Sequence, residues 1–361
     1  MTPKVNLPIL AERFTQLSRS AYFDPAFGEF CERTLKAIHH VESNLDSYDE
    51  AVVRSFVTHV WKVIRFLMGS RSNDAPHETQ YVLRKALRHW INREALVSSA
   101  SLDELTYFLE PLDLWDQISK TLSGFDTEGY APLLVRIGSP AAYRNRPIFC
   151  VPLFHELGHF VDNYYKISAR TLFLDPPGPP PARSNIDTQL WQQVNCRHRM
   201  EHFADLFSAC YVGEAAKKSL LAIAPDNPDS PTHPSTTKRC DAIDSFLAGK
   251  PHRIVSLFQH TLDASSINRL THFFTPTEVS ESLDKVLTAP LVRDEQLFGV
   301  FPSAWDYLEQ QIEHQTAPWV DEHSTPYKIE KTINDLIEKS IRNYEIREKW
   351  CDGAIDETAA R

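Results

Sequence analysis

Apolar positions along this chain follow helical spacing over most of its length. Val53, Phe56, Val57, Val60, Ile64 and Leu67 recur at steps of three and four, which lines one face of a helix, and Gly69 is its expected stop. Arg54, His59, Lys62 and Arg65 interrupt the same stretch, so it reads as an amphipathic helix and not as a membrane span. Leu83, Ala86, Leu87, Trp90 and Ile91 repeat the pattern. Arg84, Lys85, Arg88 and Arg93 fall mainly off that stripe, as a solvated helix face or as a basic surface for an acidic partner.

The rhythm changes near residue 130. Ala131-Pro132-Leu133-Leu134-Val135-Arg136-Ile137 is short, aliphatic and bounded by Gly138-Ser139-Pro140, which predicts a strand. Pro147 to Val151 then leads into a helix, with Pro152 in its first turn, where a missing N–H costs nothing. The run Asp175-Pro176-Pro177-Gly178-Pro179-Pro180-Pro181 cannot be helical and reads as a connector or a rim to a cleft. A second helix is expected over Arg197 to Lys218, followed by a Pro/Ser/Thr-rich loop from Pro225 to Thr237. Beyond residue 240 the chain is again mainly helical, ending on the stripe Ile329, Ile333, Leu336, Ile337, Ile341 and Tyr344.

These elements predict a mostly helical α+β protein without internal repeats. The expected organisation is a helical region over residues 1–125, a core with a small sheet over 126–250, and a helical region over 251–361 packing on that core. A length of 361 residues supports one large core or two modest ones. Hydrophobic residues make up 42% and charged residues 24%, as in ordinary globular proteins. A formal net charge of -10 argues against nucleic acid as the partner. The N-terminal MTPKVNLPILAERF lacks the features of a secretory signal. Six scattered cysteines with no CxxC pair fit a reducing compartment, so a soluble cytoplasmic protein is expected.

The chemistry concentrates at His155-Glu156-Leu157-Gly158-His159. Residues four apart stack on one helix face, so both imidazoles can reach one metal ion, while Glu156 beside them can take a proton from water that the metal activates. The motif lies among Val151, Leu153, Phe154, Leu157, Phe160 and Val161, and buried ionisable groups need the compensation that a metal supplies. Gly158 in a helix interior costs about 1 kcal/mol relative to alanine and fits a place where another element comes close.

A catalytic zinc needs a third protein ligand. The long metzincin pattern would put histidine at 165 and glycine at 162, where the chain has Tyr165 and Asp162. Glu201-His202-Phe203-Ala204-Asp205 instead offers two carboxylates one helical turn apart, with Met200, Phe203, Leu206, Phe207 and Cys210 directed into the core. Glu201 is the expected ligand, in competition with His202, Asp205 and His198, and Asp205 would accept the second N–H of His155 or His159. Alternatively, His198, Glu201, His202 and Asp205 form the wet face of an ordinary helix. Cys150 and Cys196 precede the two helices, and a thiolate from either could also approach the metal.

In HELGH at 155–159, EHFAD at 201–205, and Thr232-His233-Pro234-Ser235 followed by Arg239, the chain resembles the gluzincin branch of zinc metallopeptidases. The last element is similar to the His-Pro and downstream Arg segment of membrane-bound prenyl-protein peptidases and their bacterial heat-shock relatives. The resemblance covers about residues 130 to 245. It implies a zincin core in which the strand at 131–137 is the substrate-binding edge or its neighbour. It also implies His233 or Arg239 as the group that stabilises the oxyanion, a role open equally to Tyr211, Tyr307 and Tyr327. The expected function is a zinc-dependent peptidase acting on a peptide or protein, with Zn2+ as cofactor, His155, His159 and Glu201 as ligands, and Glu156 and His233 as catalytic residues. Its alternatives are a zincin restricted to one target or latent until triggered, and a non-catalytic helical binding protein.

Overall fold

The computed structural model describes residues 3–359 apart from 21, 23, 69–76, 123 and 181–186. Gly69, expected to stop a helix, and Pro181 of the proline-rich run lie outside the described residues. The chain is mostly helical with one three-stranded sheet, the α+β architecture that the pattern predicts. It divides into two compact units, Met1–Gln80 with Leu87–Arg144, and Tyr81–Ala86 with Asn145–Arg361.

In the first unit α1 (Pro3–Ser18), α2 (Ala26–Ser43) and α3 (Glu50–Met68) share an apolar cluster that includes Leu10, Phe14, Phe30, Val60 and Phe66. Of α4 (His77–Arg88), the residues Tyr81–Ala86 belong to the second unit. Then follow β1 (Ala95–Leu102), β2 (Phe108–Leu112), α5 (Leu114–Thr121) and β3 (Leu133–Pro140). The Asp113 carboxylate accepts from the Asp116 N–H and caps α5.

The sheet order is β1-β3-β2, with β3 parallel to β1 and antiparallel to β2. The strand expected at 131–137 thus runs from 133 to 140 and takes the central place. Both of its sides are already paired, so it offers no free edge to a substrate strand. Phe108 pairs with Gly138 in register, and a Cβ at 138 would lie 2.2 Å from the Phe108 ring, so only glycine lets the ring cover the strand. β1 and β2 fall in a stretch read as helical. Their signals are weak: β1 buries Ser98 and Ser99 where alternating aliphatics would mark a strand, and β2 carries Pro111.

The second unit contains α6 (Pro152–Tyr165), α7 (Ile167–Leu174), α8 (Thr188–Val212), α9 (Glu214–Ile223), α10 (Thr236–Leu247), α11 (Arg253–Ala264), α12 (Ser280–Asp284), α13 (Asp294–His314) and α14 (Pro326–Ala359). Pro152 sits in the first turn of α6, and all six apolar residues around the motif are buried. The helix expected over 197–218 begins earlier, where Asp187 caps Leu190 N–H, and breaks at Gly213. Gly213 has φ 51, a left-handed conformation that glycine adopts without strain, and the Phe274 ring closes over it.

Helices α6 and α8 touch backbone to backbone at Gly158. A Cβ there would lie 2.7 Å from Ala204 Cα and 3.0 Å from Phe207 Cβ. Beneath the contact, Phe154 stacks on Tyr211 at 5.9 Å, and Tyr211 meets Phe298 and Phe273 at 4.8 and 5.0 Å. Such aromatic packing holds the two helices in fixed register. Asp162 accepts the Ser168 N–H at 2.6 Å and so caps the first turn of α7.

The basic stripe of α4 is not uniformly solvated. Lys85 is 7% exposed, with its Nζ 2.9 Å from Asp294 and 2.5 Å from Glu348 and over the rings of Tyr81 and Tyr344. A buried lysine needs such anions, and these come from helices more than 200 residues away in sequence. Among the described residues no helix is long and apolar enough to cross a membrane.

Candidate metal centre

The face of α8 that carries Glu201, His202 and Asp205 is not wet. Glu201 is 9%, His202 7% and Asp205 3% exposed. The close approach at Gly158 turns the histidines of α6 toward that face. His155 Nε2 lies 3.5 Å from Glu201 Oε2, and His159 Nε2 lies 3.3 Å from Glu201 Oε1. The donor atoms of His155, His159 and Glu201 all fall within 4.8 Å of one another.

These separations test whether a metal fits. Two donors each about 2.0–2.1 Å from a tetrahedral zinc are about 3.3–3.4 Å apart. The observed spacings lie at that value and beyond a good hydrogen bond. The lone pairs point the same way. His155 Nδ1 is 3.0 Å from Asp205 Oδ1, so the N–H of a neutral ring sits on Nδ1 and its Nε2 lone pair faces the Glu201 carboxylate. Lone pairs turned on a carboxylate require protons or a cation between them. Two imidazoles and one carboxylate form the donor set of a catalytic zinc site.

The charges around the centre are strongly coupled. Burial pulls the His155 imidazolium down, but the carboxylates of Asp205 and Glu201 outweigh it and raise its pKa to about 9. Burial works against Glu201 as an anion, yet His155 and His159 hold its carboxyl well below the usual range. Asp205 is likewise desolvated and is held low by Arg239 and His155. Arg239 on α10 reaches Asp205 through Nε and a terminal nitrogen, each at 2.7 Å, and lies 3.4 Å from Glu201 Oε2. Its fork is spent on these carboxylates, which gives it a positioning role and not the oxyanion role the resemblance offered it.

The other candidates separate. Glu156 is half-buried beside the ligands and makes no hydrogen bond or ion pair among the described residues. His233 sits on the turn before α10, half-exposed, with Nδ1 2.9 Å from Thr232 Oγ1 and Nε2 3.5 Å from Glu201 Oε1. The turn is anchored where Ser230 O meets His198 Nε2 at 2.7 Å, which gives His198 a partner outside the donor group. His202 stands outside the donor group, and burial lowers its pKa to about 4, so it stays neutral near pH 7. Tyr211 donates its hydroxyl to Ala86 O and Tyr307 donates to Asp284, so neither is free to meet an oxyanion. Tyr327 is 62% exposed, stands outside the donor group, and lies near the Arg146 guanidinium. Cys150 is buried and Cys196 half-buried, and neither joins the donor group.

The role of Arg239 and the anchoring of the 229–235 turn escaped the motif reading. The sequence signal for the turn was present in Asp229, Ser230, Thr232 and Pro234, and two of these bond nearby backbone through their side chains: Ser230 Oγ accepts from His233 N–H at 3.0 Å and Asp229 accepts from Ser235 N–H at 2.7 Å. The arrangement defines a class of site, a two-helix HExxH centre with a downstream carboxylate. Compared with known protein families, curated proteins and solved structures, the chain matches none of them.

Proposed function

We propose that this chain is a zinc-dependent peptidase. The observation that carries the reading is the convergence of His155 Nε2, His159 Nε2 and the Glu201 carboxylate within 4.8 Å, at zinc-ligand spacing. Zinc held there would polarise a scissile carbonyl and bring a water's pKa toward about 7. Glu156, unpaired beside the ligands, takes the proton of the attacking water and passes it to the leaving amine. Asp205 keeps His155 in the tautomer that leaves Nε2 free, and Arg239 keeps Asp205 ionised and aimed. His233, half-exposed and 3.5 Å from Glu201, donates to the oxyanion in this reading.

A second reading of the same centre is an enzyme latent until triggered. What supports it is the His233 Nε2 to Glu201 Oε1 separation of 3.5 Å, which brings an imidazole from outside the three-residue donor group beside the candidate ligand carboxylate. A side chain on an exposed turn could occupy the position water needs and yield it to a substrate.

Metal analysis of the purified protein tests the shared premise. Wild type carries about one zinc per chain, and His159→Ala and Glu201→Ala lose it. A wild type that carries no metal and takes up none overturns both readings.

A further inference from the structure

The two histidines of α6 are not equally supported. His155 Nδ1 has the Asp205 carboxylate at 3.0 Å. His159 turns its Nε2 on Glu201 in the same way, but its Nδ1 is buried and meets no hydrogen-bond partner. A buried ring nitrogen left alone is costly. A histidine that binds metal through one nitrogen almost always donates the N–H of the other to a carboxylate, a carbonyl or a water.

Asp162 stands one turn further along α6, three residues from His159 and so its neighbour on the helix surface. It is 2% exposed. Its Oδ1 accepts the Ser168 N–H at 2.6 Å, and its Oδ2 accepts no hydrogen bond among the described residues. Lys166, in the left-handed region at φ 56, turns the chain from α6 into α7 and brings Ser168 back onto Asp162. The Ser168 hydroxyl is buried beside the same carboxylate without reaching a hydrogen bond. Burial pushes the Asp162 carboxyl up, while Ser168 and the His159 ring favour its anion. Residues three apart on a helix hold their Cβ atoms about 5–6 Å apart. A ring nitrogen and a carboxylate oxygen reaching from such positions can be joined by one water, and a buried water takes about three polar partners.

We infer that Asp162 is a positioning residue for His159, taking its Nδ1–H through one buried water that the Ser168 hydroxyl also holds. The inference rests on the zinc reading of the centre and deepens it. Each ligating imidazole then has a carboxylate of its own, Asp205 for His155 and Asp162 for His159. With its proton held on Nδ1, His159 presents the Nε2 lone pair to the metal position beside Glu201. The same carboxylate caps α7, so the turn after α6 and the aim of the ligand are set together.

Asp162→Asn is the informative change. Its remaining oxygen still accepts the Ser168 N–H, so the cap survives, while its amide donates where Oδ2 accepted. Melting of the metal-free protein is expected to stay near wild type, because burial already disfavours the charge that the variant removes. Zinc, titrated in competition with a chromophoric chelator, is expected to bind about 10- to 100-fold more weakly. In the zinc form, proton–nitrogen NMR of the imidazoles should show the His159 Nδ1 proton exchanging slowly in wild type and rapidly in the variant. The His155 proton, held by Asp205, should not change, whereas a general loosening of the fold would move both. Ser168→Ala keeps the cap, which uses the backbone N–H, and is expected to weaken zinc in the same direction by less. Wild-type zinc affinity in Asp162→Asn, or in Ser168→Ala should the first variant misfold, overturns the inference and leaves the zinc reading standing. A wild type that takes up no zinc removes the reading and the inference together.

Discussion

Arg239 clamps Asp205 through two hydrogen bonds of 2.7 Å, and Asp205 in turn holds His155 Nδ1 at 3.0 Å. With both charges buried, removing one strands the other. Asp205→Asn is expected to lower zinc affinity about 10- to 100-fold, as lost outer-shell partners do, and to destabilise the fold by up to about 3–5 kcal/mol, because buried Arg239 keeps only Glu201, 3.4 Å away, as an anionic partner. Adding Arg239→Leu to an Asp205→Leu chain should recover much of that stability but none of the zinc affinity. Thermal unfolding and zinc titration on wild type, Asp205→Leu, Arg239→Leu and the double variant separate the two effects. Zinc affinity that recovers along with stability would remove the orienting role.

The faces that carry the candidate donors were legible in the sequence because helical geometry fixes them: residues 155 and 159 share a face, as do 201 and 205. Their burial was not, because that depends on the approach of α6 to α8, and only Gly158 hinted at a contact there. The function of Arg239 was hidden for a similar reason, since a guanidinium 34 residues from its partner leaves no periodic trace. β1 and β2 stayed unread because burial of serines and a proline in a strand are set by tertiary neighbours, not by alternation. Lys85 was taken for part of a solvated stripe because Asp294 and Glu348 are distant in sequence.

Gly158 leads to the second prediction. Alanine would gain up to about 1 kcal/mol of helix propensity, but its Cβ would stand 2.7 Å from the Ala204 backbone, which cannot yield as a side-chain tip can. Overpacking of this kind costs about 1–3 kcal/mol and forces α6 away from α8. Gly158→Ala should therefore melt several degrees lower and bind zinc more weakly, although it touches no ligand. A variant as stable as wild type with full zinc affinity would show that the helices have room to part.

Zinc binding should also depend on pH in a defined direction. In the metal-free protein the carboxylates of Asp205 and Glu201 lift His155 from 6.5 to about 9, so near neutrality its ring keeps a proton that zinc must displace. Apparent affinity then falls about tenfold for each pH unit below 9 and levels off above it. The sign for stability is opposite in the metal-free protein. A raised histidine pKa contributes stability fully below 6.5, and this is lost as pH rises through about 9. Stabilisation by zinc, read as a thermal shift, should thus grow from pH 6 to pH 9. A flat profile would mean that His155 carries no proton in the metal-free site.

Glu156 and His233 separate an open centre from a latent one. Glu156→Gln keeps the shape and removes the base, so it should retain about one zinc per chain and lose peptide hydrolysis by about 10²-fold or more. For His233 the informative measurement is the visible spectrum of the cobalt-substituted protein, which reports coordination number and geometry. If the turn at 229–235 leaves His233 outside the metal, His233→Ala keeps the wild-type spectrum and lowers turnover through the lost oxyanion donor. If His233 closes the site, the variant's spectrum changes, and its turnover on small peptides rises because water enters a position that the imidazole had filled. Cobalt that binds wild type and the variant with identical spectra and identical turnover would remove His233 from both roles.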